Sequence, residues 1–130
     1  MPIVKQLSIF LENTPGTLSR VISEFAQQKV NLLGLTVSDT KDHAVVRMVV
    51  NRPARAIEIL EDRGILTLEG DILEVALPNK AGALSYTAAR LAKEGINIDY
   101  AYGTAPEGGK RASIFMRVDA LKKAQSVLKA

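Results

Sequence analysis

The sequence predicts an α+β protein made of two copies of one β-α-β-β-α-β unit, each an antiparallel sheet with its helices on one face. Three observations predict it. First, the chain repeats itself: Leu7, Leu11, Asn13, Gly16, Leu18, Ser19, Ala26 and Asn31 fall on Leu73, Leu77, Asn79, Gly82, Leu84, Ser85, Ala92 and Asn97 at a constant offset of 66. Second, the offset becomes 68 further on, where Val50-Asn51 falls on Val118-Asp119, Ala56 on Ala124 and Leu60 on Leu128. That change is a loop insertion, residues 38–43 against 104–111. Third, apolar residues alternate with a period of about two in some segments and recur at helical spacing in others.

The elements follow in order. Leu7, Ile9 and Leu11 alternate with Gln6, Ser8 and Glu12, a strand with one buried face. Asn13-Thr14-Pro15-Gly16 ends it, and Leu18, Val21, Ile22, Phe25 and Ala26 then mark the apolar face of a helix. Residues 32–38 read as a second strand, 38–42 as a turn and 44–50 as a third strand rich in Val. Asn51 is placed to cap a second helix with Pro53 in its first turn and Ala56, Ile57 and Leu60 inward. Gly64 stops that helix, and residues 65–68 form a short fourth strand.

Glu69-Gly70-Asp71 reads as the polar joint between units, giving domains at residues 1–69 and 70–130. The second unit repeats the order. Leu73, Val75 and Leu77 form a strand, and Leu84, Ala88, Leu91 and Ala92 line a helix. Residues 98–103 and 112–118 form a hairpin, and Asp119 caps a last helix carrying Leu121, Ala124 and Leu128. No fourth strand follows. This order has one economical solution, the ferredoxin-like arrangement. A missing last strand leaves an open sheet edge, and open edges pair with other chains, so a homodimer or larger oligomer is expected.

Composition removes several function classes. Hydrophobic residues make up 47% and charged residues 24%, with a net charge of +3 spread along the chain, as in ordinary globular proteins. Cysteine is absent and His43 is the single histidine, so thiolate chemistry, a His-paired metal site and a Ser-His-Asp triad are not expected. No clustered carboxylates offer an acid-base pair, so no catalytic residues, no metal and no cofactor are expected. The opening residues lack the pattern of a secretory signal, and no apolar run approaches a membrane span. The expected location is the cytoplasm. Nucleic-acid recognition by a fold of this order needs paired aromatics on the third strand. Residues 110–118 offer only Phe115 and residues 45–50 none.

The candidate chemistry lies in two corners, Asn13-Thr14-Pro15-Gly16-Thr17-Leu18 and Asn79-Lys80-Ala81-Gly82-Ala83-Leu84. Each is a strand-to-helix turn opening on glycine. The first N–H groups of a helix have no intrahelical partner and sit at its positive end, where a carboxylate docks readily. Glycine lets a ligand approach the backbone, and the Asn side chain offers both donor and acceptor. Such a corner suits a small zwitterion. It also serves as an ordinary structural turn, so an assembly module without a ligand is the alternative. Gly16→Val is expected to block the ligand and spare the fold.

With these motifs in place the chain resembles the ACT domain family. The resemblance rests on the duplicated unit, on Asn-x-Pro-Gly-x-Leu after the first strand, and on Val30-Asn31-Leu32 before the second. ACT domains are small regulatory modules of amino-acid-metabolism enzymes such as phosphoglycerate dehydrogenase and aspartate kinase. Residues 5–13 resemble stand-alone bacterial proteins of two tandem ACT units. The resemblance implies amino-acid binding between units, with the first corner loop of one facing the second strand of its neighbour. The matching positions are the two corners above, with Asn31-Leu32 and Asn97-Ile98 on the facing strands. With no catalytic domain in the sequence, it also implies either a separate partner, an enzyme of amino-acid metabolism, or a protein that only senses. The second unit departs from the pattern at Ala81, where the family often has Pro.

Overall fold

The structure, a computed structural model, describes residues 2–129. Its elements are β1 (Ile3–Glu12), α1 (Thr17–Gln27), β2 (Leu32–Asp39), β3 (His43–Val50), α2 (Pro53–Asp62), β4 (Thr67–Pro78), α3 (Ala83–Lys93), β5 (Ile98–Thr104), β6 (Arg111–Val118) and α4 (Leu121–Lys129). The α+β class, the antiparallel strands and the two-fold repetition of elements are as the sequence predicts. The chain divides into two compact units, Lys5–Gly70 and residues 71–129 together with the leading residues 2–4.

In the first unit the strand order is β2-β3-β1, with Leu7 opposite Met48 and Glu12 opposite His43. Its core collects alternate residues of β1 (Leu7, Ile9, Leu11) and β3 (Val46, Met48, Val50) with Val21 and Phe25 of α1 and Ala56, Ile59 and Leu60 of α2. Both helices therefore cover the same sheet face. Phe25, 1% exposed, anchors that core and contributes on the order of 2 kcal/mol by burial. Beyond α2, Gly64 at φ 68 turns the chain back. Ile65 then packs on the core, and the Phe10 N–H donates to the Leu66 carbonyl at 3.4 Å.

The second unit has the order β4-β6-β5, with Leu73 opposite Met116 and Ile98 opposite Val118. Leu73, Val75 and Leu77 meet Met116, Val118, Leu91, Ala124 and Leu128 in its core. Ile3 packs on this core, and the Glu74 N–H donates to the Pro2 carbonyl at 3.0 Å. The leading residues thus cover part of the β4 edge that the missing fourth strand would leave open. Among the described residues no strand follows α4.

Several local readings change. Residues 65–68 and 73–77 are not two strands: β4 runs unbroken through Glu69-Gly70-Asp71. Those three residues are exposed, and β4 carries them extended although their composition favours a turn. Asn51 does not cap α2. Its Oδ1 accepts the Asn31 N–H at 2.8 Å, and Arg52 stands at the N-cap without a side-chain bond. Along α3 the buried residues are Thr87 and Leu91, whereas Leu84 is 46% exposed.

Candidate functional site

Each corner is built in three steps. A strand ends beside a hairpin, an Asn ties the turn to that hairpin, and a left-handed glycine starts the helix. At the first corner the Asn13 N–H donates to the Asp42 carbonyl at 3.1 Å, and its Nδ2 donates to the Thr40 carbonyl at 3.4 Å. At the second the Asn79 N–H donates to the Lys110 carbonyl at 3.0 Å, while Nδ2 donates to the carbonyls of Pro106 at 2.8 Å and Gly109 at 2.9 Å. Both side-chain N–H groups of Asn79 are therefore used on the hairpin tip, whereas Asn13 uses one, at long range. The side-chain oxygen of each Asn can face a ligand as an acceptor.

Gly16 and Gly82 occupy the N-cap positions of α1 and α3 at φ 87 and φ 88. Neither helix start is capped by a side chain. The glycine carbonyls accept from Arg20 at 3.0 Å and Tyr86 at 2.9 Å, so both helices begin at the same point. A side chain at φ near +87 is strained, which corrects the expectation that Gly16→Val spares the fold. Thr14 and Thr17 share a hydroxyl–hydroxyl bond of 2.7 Å at the first corner, where the second has Lys80 and Ala83.

A cavity lies beside each corner. That of the first unit, about 460 Å3, is bordered by Leu11, Glu12, Thr17, Arg20, Val21, His43 and the stretch from Arg63 to Leu66. Arg20 reaches back toward the turn: its Nη1 is 3.2 Å from where a Cβ on Gly16 would lie. Arg63, on the cavity border, makes an ion pair from its Nε to Glu24 Oε2. The cavity of the second unit, about 490 Å3, is bordered by Leu77, Pro78, Lys80 to Ala83, Tyr86, Thr87, Arg90 and Leu128. Arg90 lies 5.7 Å from the Tyr86 ring centroid and donates to the Val127 carbonyl.

Leu18 at the first helix start is half-buried against the core, and its counterpart Leu84 is exposed. Pro15 and Ala81 are exposed in their turns. Asn31-Leu32 and Asn97-Ile98 stand elsewhere. The Asn31 carbonyl accepts the Asn51 N–H at 3.0 Å, and the Asn97 N–H donates to Asp119 Oδ1 at 3.0 Å. Glu12 pairs with the start of β3 and Leu32 with its end, so within a unit these residues and the corner are separated by the length of that strand, roughly 23 Å. Neither unit brings its own two groups together.

Sequence reasoning missed Arg20, His43 and Arg63 at the first cavity and Tyr86, Thr87, Arg90 and Leu128 at the second. The repeat itself could have found most of them. One turn after each glycine, the offset of 66 pairs Arg20 with Tyr86, Val21 with Thr87 and Glu24 with Arg90, exchanging chemistry at each place.

Comparison with known proteins decides the family. The ACT domain pair model matches residues 2–130. The chain belongs to the ACT domain family. Among curated proteins it is 42% identical over 57 residues to the acetolactate synthase small subunit of Haemophilus influenzae, across 42% of this chain and 35% of that one. It is 48% identical over 44 residues to the acetolactate synthase isozyme 3 small subunit of Escherichia coli, across 34% of this chain and 27% of that one. This ACT pair thus aligns with about a third or less of those relatives' length. Among solved structures, protein BT0572 of Bacteroides thetaiotaomicron superposes with a TM-score of 0.92 at 33% identity, covering 98% of this chain and 87% of that one. The regulatory subunit of aspartate kinase from Thermus thermophilus shares the fold, with a TM-score of 0.71 at 16% identity over 99% and 96% of the two chains. No described helix is long and apolar enough to cross a membrane.

Proposed function

We propose that this ACT pair is a non-catalytic regulatory module that senses a small amino acid. One observation carries the reading. Both helices open on a left-handed glycine with no side-chain cap, each beside a cavity of several hundred Å3. Uncapped N–H groups at a positive helix end are the natural seat of a carboxylate. The Asn13 and Asn79 oxygens and the turn carbonyls would take the ammonium. Asn31-Leu32 and Asn97-Ile98, remote from the corner of their own unit, would serve the corner of a neighbouring unit in a homodimer.

Supporting this are the family and the nature of the relatives, a small subunit of acetolactate synthase and a regulatory subunit of aspartate kinase. By that likeness the module acts on a separate enzyme of amino-acid metabolism in the cytoplasm. A nucleic-acid role finds little support. Phe115, the aromatic on the third strand of the second unit, is 4% exposed and packs 5.6 Å from Tyr102, so its face is not free to stack on a base.

A thermal-shift screen against the twenty amino acids, with single-stranded RNA as the rival arm, tests the reading. A ligand at a hundred times its Kd stabilises the fold by about 2.7 kcal/mol, a shift of several degrees. Twenty flat responses at millimolar concentration would sink it. Sedimentation at micromolar protein tests the homodimer, and a single monomer boundary would remove it.

A further inference from the structure

The two cavities differ in how far their charged side chains are already committed. In the second unit Arg90 donates to the Val127 carbonyl and lies 5.7 Å from the Tyr86 ring centroid. The other cation of that wall, Lys80, is exposed in the turn, and Leu77, Pro78, Ala81 and Leu128 are apolar. In the first unit Glu12, Arg20, His43 and Arg63 border one cavity of about 460 Å3. Arg63 is shared with Glu24 through its Nε. The side chains of Glu12, Arg20 and His43 make no ion pair or hydrogen bond among the described residues.

The separation of opposite charges is the telling point. Glu12 pairs with neither arginine, although all three border the same space. His43 stands opposite Glu12 in the β1–β3 ladder. Arg20 is not simply turned to solvent: its Nη1 lies over the turn, 3.2 Å from where a Cβ on Gly16 would be. An ammonium answers Glu12. A single α-carboxylate at the start of α1 leaves the two guanidinium groups without an anion of their own. A second carboxylate on the same ligand supplies it.

We propose that the first corner takes an amino acid with an acidic side chain, aspartate or glutamate. Glu12 and the Asn13 oxygen receive the ammonium, the start of α1 receives one carboxylate, and Arg20 with Arg63 receives the other. A guanidinium meets a carboxylate in two parallel charged bonds, which a side-chain amide cannot reproduce. This selectivity rests on the corner being an amino-acid seat, as proposed above, and adds the class it takes. The second corner has Tyr86 in place of Arg20 and Arg90 in place of Glu24, so it does not share the preference.

The full chain is titrated with aspartate and glutamate, with their amides asparagine and glutamine, and with succinate and glutarate, by calorimetry and amide NMR. The better acid should bind at least tenfold tighter than its amide and shift the Gly16 and Thr17 amides. Arg20→Gln should remove most of that preference. It should fold, since the Arg20 side chain is exposed and unpaired among the described residues. Glu12→Gln should weaken the better acid at least fivefold and leave the matching diacid, which has no ammonium, unweakened. An amide or any neutral amino acid binding as tightly as the acids overturns the proposal. So does a preference that survives Arg20→Gln, a response confined to the amides around Gly82, or inorganic phosphate matching the acids at the Gly16 amide. A neutral amino acid that shifts the Gly16 amide while both acids stay silent would end the acidic preference and leave amino-acid sensing standing. Silence from all twenty would end both.

Discussion

At the first corner Arg20 reaches back to Gly16, and Arg63 pairs with Glu24 at the cavity border. At the second, Tyr86 and Arg90 stand in the places of Arg20 and Glu24, and Thr87 puts a hydroxyl where Val21 has a methyl. The backbones agree almost to the degree, with glycine at φ 87 and φ 88. The comparison teaches that duplication kept what places the main chain and released what faces the cavity. Holding a left-handed helix start demands glycine and a tied hairpin. Lining the cavity demands only that the core beneath stay sealed.

The largest test of that division lies in the core. Leu60→Ala is expected to cost about 3–5 kcal/mol, because Leu60 is fully buried and does not border the first cavity. Its counterpart Leu128 borders the second cavity, so Leu128→Ala should cost about 2–3 kcal/mol, at the lower end of the same range. Urea unfolding of the two variants checks the order, and equal losses would say that a place on the cavity wall makes no difference to Leu128.

Next come the hairpin ties. Asn79→Ala removes two short bonds and should cost about 2 kcal/mol, whereas Asn13→Ala removes one long bond and should cost under about 1 kcal/mol. Hydrogen exchange at residues 106–110 and 40–43 should loosen in the same order. Gly16→Ala and Gly82→Ala are expected to match one another at about 1–2 kcal/mol, since each forces a Cβ into the left-handed region. A difference above about 1 kcal/mol would mean the frames are less alike than their angles. The smallest effect is a gain. Lys29 at φ 61 is the counterpart of Gly95 at φ 72, so Lys29→Gly should stabilise the first unit by under about 1 kcal/mol after the entropy cost of glycine. A loss measured by the same unfolding curves would show that the Lys29 side chain contributes more than its backbone costs.

The repeat made the fold legible. Leu7, Ile9 and Leu11 alternate for the reason they pack, and Gly16 and Gly82 stand where only glycine is comfortable. The continuity of β4 was not legible, because Glu69-Gly70-Asp71 has turn composition inside a strand of twelve residues. The apolar face of α3 was misjudged around Leu84, since Ala83 and Thr87 are small enough to take the inward positions. At the site, the glycines and asparagines were found but the Asn donors were not known to be used. Arg63 comes to the cavity from another element altogether, and no local spacing announces that.

One feature of the chain path bears on its history. The boundary between the units falls inside two strands, after Val4 in β1 and after Gly70 in β4. A gene split at the repeat joint would therefore not return two working ancestors. The downstream product would lack Ile3 for its core and the Pro2 carbonyl for Glu74, and the upstream product would keep a leader its own core does not use. The second copy therefore depends on residues that precede the first, and shortening the chain at its start would reach the second core before the first.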